Sequence, residues 1–170
     1  MMNEINQFAP FYSSIHRGTI YKQEERLLHY AHKKLEGING IEFYASLAPY
    51  LRIGVIPFNL NGMHHEAVAQ ILSSEGGIAV RNGCFCAQPY VQQLLGIPDK
   101  DMEKFIINPQ LPRPGMVRMS FGLYNTREEV DQMIGLLHEI TGSKRSRAKF
   151  LSFSGKQGYT HKTLSYYNNN

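Results

Sequence analysis

The stretch MVRMSFGLYNTREEVDQMIGLLHEITG, residues 116–142, predicts a strand followed by a helix and decides the fold class. Residues 116–123 alternate between apolar and other side chains, which favours a β-strand. Thr126 and Glu129 form a capping-box pattern, so a helix is predicted to begin at Thr126. Gly142 is its predicted stop. The helix carries an apolar stripe at helical spacing. The stripe consists of Val130, Met133, Ile134, Leu137 and Ile140.

Toward the N-terminus the same two patterns alternate. The predicted helices cover residues 23–36, 64–74 and 88–95, and the predicted strands cover residues 41–44, 52–60 and 78–80. Pro57 indicates that its strand lies at a sheet edge or a bulge. Residues 96–115 hold four prolines and are predicted to form mainly a loop, with a helical turn near residues 102–106. The order predicts an α+β fold, with helices packed on a mostly antiparallel sheet of three or four strands.

The composition is that of one globular domain. The chain has 170 residues, of which 42% are hydrophobic and 19% are charged. Its two cysteines are too few for a disulfide scaffold. No apolar run approaches the ~18 residues that span a bilayer, and residues 1–10 lack the basic and apolar regions of a signal peptide. We therefore expect a cytoplasmic protein with reduced thiols.

The net charge of +4 is unevenly distributed along the chain. Residues 143–170 contain six basic and no acidic residues, which leaves 12 basic and 14 acidic residues, a charge of −2, in residues 1–142. Basic tails bind nucleic acid in some proteins, but more often they are solvated extensions. We therefore expect a flexible tail and no nucleic-acid partner.

Two cysteines, Cys84 and Cys86, lie between a predicted strand and a predicted helix. A thiolate is favoured near a helix N-terminus, and Arg81 would add to the effect, so Cys86 is a candidate nucleophile. Spacing alone favours the alternative that both thiols are small buried apolar groups. A metal site with His64 and His65 is a further alternative, but this spacing is not that of a known zinc site.

Arg118 stands in the middle of an apolar strand. A buried arginine needs an anionic partner, which is either a carboxylate of the same domain or the carboxylate of a substrate. The sequence leaves this choice open. His16 and Arg17, in a polar and aromatic stretch, are by spacing alone ordinary surface residues.

Several segments resemble parts of one enzyme family. The segment GIAVRNGCFCAQP (77–89) resembles the active-site cysteine segment of SufS-like cysteine desulfurases. VRMSFGLYNT (117–126) resembles the last strand and helix of class V aminotransferases, and RIGVIPFN (52–59) with HHEAV (64–68) resembles the first strand and helix of the same C-terminal domain. YSSIHRG (12–18) resembles their N-terminal active-site segment. The chain is thus identified as a member of this family.

The resemblance implies the small C-terminal domain of a fold-type I enzyme that uses pyridoxal phosphate (PLP) on an amino acid. Cys86 then matches the persulfide-forming cysteine, and Arg118 matches the arginine that binds the substrate carboxylate. Arg81, His16 and Arg17 fall at further substrate-binding positions. The Gly-Cys-Phe-Cys run is also similar to molybdenum-cofactor sulfurases, so the subfamily stays open.

The PLP lysine of the family has no counterpart here. No lysine occurs between Lys34 and Lys100, and the His161-Lys162 pair lies in the tail. The resemblance therefore implies that the large PLP domain is missing and that the isolated chain is not catalytic. We expect a partner, either that domain or a second copy of the chain. The alternative is a non-catalytic truncated module or the small subunit of a split enzyme.

These patterns divide the chain into three predicted parts. They are an N-terminal arm (1–22), the class V-like C-terminal domain (23–142) and the basic tail (143–170).

Overall fold

A computed structural model describes residues 17–44, 54–143 and 148 of the chain. Within them lie five helices and four strands. The helices are α1 (Arg17–Leu35), α2 (His65–Gly76), α3 (Gln88–Leu94), α4 (Asp99–Ile107) and α5 (Arg127–Gly142), and the strands are β1 (Ile41–Phe43), β2 (Val55–Leu60), β3 (Arg81–Gly83) and β4 (Met116–Ser120). The predicted α+β class is confirmed.

The four strands form one sheet in the order β1-β2-β4-β3, and every neighbouring pair is antiparallel. β2 therefore lies inside the sheet, and the prediction that Pro57 marks an edge or a bulge is wrong. Pro57 accepts a hydrogen bond from the Tyr44 backbone N–H (3.3 Å). In an antiparallel strand the nitrogen and carbonyl of one residue face the same neighbour. The Pro57 nitrogen, which cannot donate a hydrogen bond, therefore faces the end of β1. Little of the hydrogen bonding between β1 and β2 is lost there.

One face of the sheet carries the core. Along β2 buried side chains alternate with half-buried ones, and the buried set packs against α1, α2 and α5. The sheet contributes Ile56, Phe58, Leu60, Val117 and Met119 to this core. The intervening residues of β2 and β4 point to the opposite face, which we call the open face. None of the helices in the described residues is long and apolar enough to cross a bilayer.

The connection from β4 to α5 follows the predicted capping box. The Glu129 backbone N–H donates to Thr126 Oγ1 (3.4 Å), and the Thr126 N–H donates to Glu129 Oε2 (3.0 Å). All five residues of the predicted stripe are buried. β4 ends at Ser120 rather than at residue 123, because the Gly122 N–H donates to Asn125 Oδ1 (2.6 Å) and starts a turn.

Helix α1 begins earlier than its apolar period predicts. It starts at Arg17 rather than near residue 23 and runs continuously across residue 22. The side chain of Ile20 is half-buried and that of Tyr21 is exposed. This first part of α1 therefore contributes little to the buried stripe that periodicity detects.

The strand predicted over residues 78–80 is wrong, since β3 covers Arg81–Gly83 instead. The backbone N–H of Ile78 donates to Leu72 O (3.0 Å), and that of Gly77 donates to Ser73 O (3.1 Å). These bonds complete the C-terminal cap of α2, with Gly77 at φ +63°. The amide of Ile78 is thus used by the helix, and pairing with β4 begins only at residue 81.

A nine-residue helix, α4, lies within the 20 residues predicted to form mainly a loop, and it includes the helical turn predicted near residues 102–106. Pro98 is its extended N-cap, and Asp99 and Asp101 place negative charge in the first turn. The other three prolines of this segment follow the end of the helix. The prolines therefore flank α4 and do not interrupt it.

A buried histidine pair joins α2 to the segment before β4. His64 caps α2 by accepting the Glu66 N–H at Nδ1 (3.3 Å). The Nε2 atoms of His64 and His65 both lie within hydrogen-bond distance of Arg113 O (3.1 and 3.0 Å). Burial lowers the pKa of His64 to about 4 and also lowers the pKa of His65. No metal-binding group of three His, Cys, Asp or Glu occurs within the described part of the chain.

We predict that the chain loses stability as the pH falls from 7 toward 4. An unfolded histidine titrates near pH 6.5, whereas the pKa of folded His64 is about 4, so the unfolded chain binds more protons in this window. The loss should be on the order of 2 kcal/mol. Urea unfolding at several pH values measures it. His64→Asn, which keeps a capping acceptor, should flatten the dependence. The same substitution at the exposed His138 should not, and equal slopes in both variants would contradict this origin.

Two glycines make a matched pair of stability tests. A Cβ at Gly115 would lie 2.6 Å from His65 Nε2 and 2.7 Å from Gly83 Cα, whereas a Cβ at Gly135 in α5 meets nothing within 4 Å. Gly115→Ala should lower the free energy of unfolding by about 2 kcal/mol. Gly135→Ala should raise it by about 0.5–1 kcal/mol, because alanine favours the helix. Urea titrations compare the two, and a stable Gly115→Ala variant would refute the close approach.

Candidate functional site

The two cysteines lie in a tight turn that follows β3. The Ala87 N–H donates to Cys84 O (2.8 Å), which closes a four-residue turn. Its two central residues both have positive φ, 53° at Phe85 and 60° at Cys86. This is the pattern of a type I′ turn, which usually holds glycine or asparagine. Each bulky residue in this conformation costs roughly 1–2 kcal/mol, so the turn is strained.

The thiols of this turn are unequally accessible. Both cysteines are free, but Cys86 is exposed whereas Cys84 is only partly so. α3 begins at Gln88, with Ala87 as an N-cap that offers no side-chain hydrogen bond. Cys86 therefore stands before a short helix, as its sequence position predicts, and a reagent or substrate can reach it.

Arg118 lies on the open face and has no ionic partner among the described residues. Its Nε is buried without a hydrogen bond to any of them. In the strand register it stands opposite Arg81 of β3 on one side and Pro57 on the other. Like charges directly opposite each other across a strand pair destabilise the sheet. This arrangement favours an anion that is not part of the described residues.

Phe85 connects the turn to this arginine. The guanidinium carbon of Arg118 lies over the Phe85 ring, 4.9 Å from its centroid. The ring lies against one face of the guanidinium, and in general it is the N–H edge of a guanidinium that can bind a carboxylate. No sequence pattern singles out Phe85. It lies between the two cysteines in sequence, but only the fold shows its contact with Arg118.

The structure brings together some of the predicted site residues and does not describe the others. Arg118 and the turn with Cys86 come together through Phe85, and Arg81 is exposed on the strand beside Arg118. His16 lies outside the described residues. Arg17 is the first residue of α1, and its side chain also lies outside the description.

Comparisons with known proteins find one family and several relatives. The aminotransferase class-V family matches residues 4–133. A probable cysteine desulfurase of Staphylococcus aureus (strain COL) is 37% identical over 120 residues, 71% of this chain and 24% of its own length. A cysteine desulfurase of Escherichia coli (strain SE11) is 34% identical over 130 residues, 76% of this chain and 27% of its own length.

Solved structures show the same likeness. An apo cysteine desulfurase from Thermococcus onnurineus NA1 superposes with a TM-score of 0.60 at 31% identity, over 74% of this chain and 26% of that one. The cysteine desulfurase CsdA from Escherichia coli, at 21% identity and a TM-score of 0.58, shares the fold over 85% of this chain and 28% of its own. The chain thus spans about a quarter of the length of these relatives.

The strands and the cysteine turn around Arg118 offer no lysine to a PLP site. The turn and the four strands contain no lysine, and the lysines of α1 lie on the helix that packs against the other face of the sheet. Lys34 pairs with Asp131 (3.3 Å), and hydrogen bonds to Asp131 and Tyr30 raise its pKa. A lysine that forms a Schiff base needs the opposite shift. On α4, Lys104 pairs with Asp101 (3.7 Å).

We predict that Arg118 is not needed for stability. Arg118→Met should leave the free energy of unfolding unchanged or raise it by about 1 kcal/mol, because it removes an unpaired buried donor and the repulsion with Arg81. Arg127 is the control, since it also stacks on an aromatic ring, Tyr30 (5.0 Å), but is solvent-exposed. Arg127→Met should lower the free energy by about 0.5 kcal/mol. A larger loss in Arg118→Met, measured by urea unfolding, would show that Arg118 is structural.

Proposed function

The chain belongs to the class V aminotransferase family, and we propose that it is the carboxylate-binding and sulfur-accepting C-terminal part of a cysteine desulfurase-type enzyme. The observation that carries the proposal is the unpaired guanidinium of Arg118, in contact with the turn that presents Cys86. An arginine that has no ionic partner among the described residues, and that contacts a turn with an exposed cysteine, suits a substrate with both a carboxylate and a sulfur, such as cysteine.

Arg118 is the proposed ligand of the substrate carboxylate. A guanidinium donates two parallel hydrogen bonds to a carboxylate. Arg81, which faces it across the strand pair, adds positive charge at the same place. His16 and Arg17 are proposed as further substrate contacts on their sequence resemblance alone.

Cys86 is the proposed sulfur acceptor. Its thiolate forms a sulfur–sulfur bond while the carbon–sulfur bond of the substrate breaks, which leaves a persulfide on Cys86. The electron pair of the broken bond must pass to the carbon side of the substrate. PLP acts as an electron sink of this kind in the family. The strands and the cysteine turn around Arg118 hold no lysine for it, so we assign none of that step to them.

The PLP lysine is accordingly proposed to come from elsewhere, on another domain or a partner subunit. Large apolar side chains on the surface support a partner. Tyr90, Ile106, Ile107 and Tyr124 are each at least 60% exposed. The second candidate function, a non-catalytic module, also accounts for this surface. It gives no role to the unpaired Arg118, which favours the first proposal.

We predict that the purified chain binds L-alanine, the product of the proposed reaction, through Arg118. The dissociation constant should be on the order of 1 mM, as expected for one charge-assisted pair at an open site. Side-chain NMR signals of arginine report the titration. Arg118→Met should abolish the shifts and Cys86→Ala should retain them. Shifts that persist in Arg118→Met would contradict the proposed carboxylate site.

The purified chain, supplied with PLP and L-cysteine, is predicted to release no more sulfide and alanine than free PLP does. The matched control is Cys86→Ala, whose rate should equal that of the unmodified chain. Sulfide release that exceeds the PLP background and disappears in Cys86→Ala would mean that the chain catalyses the reaction by itself.

A further inference from the structure

The turn that carries Cys86 needs an external support. Phe85 and Cys86 both have left-handed backbone conformations, and neither is glycine. Strained conformations of this kind persist only where the surrounding structure holds them in place. The flanking segments are fixed, because Asn82 Oδ1 lies 3.2 Å from His65 Nδ1 and Val91 of α3 is buried. The support of the turn must therefore come from a contact between one of its side chains and the rest of the fold.

The side chain of Phe85 supplies such a support. Its ring is half-buried and lies under the guanidinium of Arg118. Arg118 belongs to a central strand, which pairs on both sides with β2 and β3. The ring is therefore stacked on a group whose backbone cannot move independently of the sheet.

We propose that Phe85 is a positioning residue that couples Arg118 to Cys86. The ring fixes the plane of the guanidinium, so that its free edge is presented to a carboxylate, and the same contact holds the strained turn that exposes the thiol. The inference rests on the proposed roles of Arg118 and Cys86. It adds that one aromatic contact holds the Arg118 guanidinium and the Cys86 thiol at a fixed separation.

This coupling accounts for the unequal exposure of the two thiols. Cys86 is exposed and Cys84 is only partly so, although one residue separates them. If the contact is lost, the turn relaxes into unstrained conformations and the two thiols become similarly accessible. The ratio of their reaction rates therefore reports the coupling, and it needs neither PLP nor turnover.

The test is competitive alkylation of the purified 170-residue chain with limiting iodoacetamide, quantified by peptide mass spectrometry. In the unmodified chain Cys86 should react faster than Cys84. Phe85→Leu keeps an apolar side chain but removes the ring, and the Cys86-to-Cys84 ratio should fall about 5-fold toward one, as loss of a cation–π contact predicts. Phe85→Tyr keeps the ring and should restore the ratio.

Arg118 must be the partner of the ring if the inference is correct. Arg118→Gln should lower the ratio as Phe85→Leu does, and the double variant should show no further fall. Circular dichroism and the melting temperature of each variant confirm that it is folded. If Phe85→Leu does not fold, the Cys86-to-Cys84 ratios measured in Phe85→Tyr and Arg118→Gln still test the inference.

Three results would overturn the inference. They are an unchanged ratio in Phe85→Leu, an unchanged ratio in Arg118→Gln, or a fall in Phe85→Tyr as large as in Phe85→Leu. None of them bears on alanine binding by Arg118, which tests the proposed function separately. Conversely, a chain that fails to bind alanine can still show the coupled thiol ratio, so the two failures are distinguishable.

Discussion

The alternation of side chains along β4 is the constraint on which the structure depends. Val117 and Met119 are buried against the helices, and successive residues of a strand point to opposite faces. Arg118, between them, must therefore face away from the core. β4 pairs with both β2 and β3. Burial of Val117 and Met119 therefore fixes the face of the sheet on which Arg118 lies. A one-residue shift in register would place the arginine in the core.

The site is built from features that lower stability. A buried arginine Nε without a partner among the described residues, two arginines opposite each other and two residues with left-handed backbone are each unfavourable. The well-packed helix layer on the other face offsets them. Such local costs are typical of binding and catalytic sites.

Local signals predict much of the fold. The capping box at Thr126 and the stripe of α5 depend on neighbours in sequence, and both were confirmed. The segment 78–80 is mispredicted because its first amide completes the cap of α2. The helical turn predicted near residues 102–106 is part of the longer helix α4, because prolines flank this helix and do not interrupt it. Arg118 was singled out from its strand, but its choice of partner and its contact with Phe85 depend on residues more than thirty positions apart, which no local pattern reveals.

The central claim is that this chain supplies the carboxylate and sulfur contacts of a desulfurase-type site but not its PLP lysine. The most direct measurement is to incubate the purified chain with PLP, reduce it with borohydride, and map the modified lysines by peptide mass. The account predicts scattered, substoichiometric labelling that L-cysteine does not alter. Stoichiometric labelling of a single lysine, blocked by L-cysteine, would contradict it and would show a cofactor site within the chain.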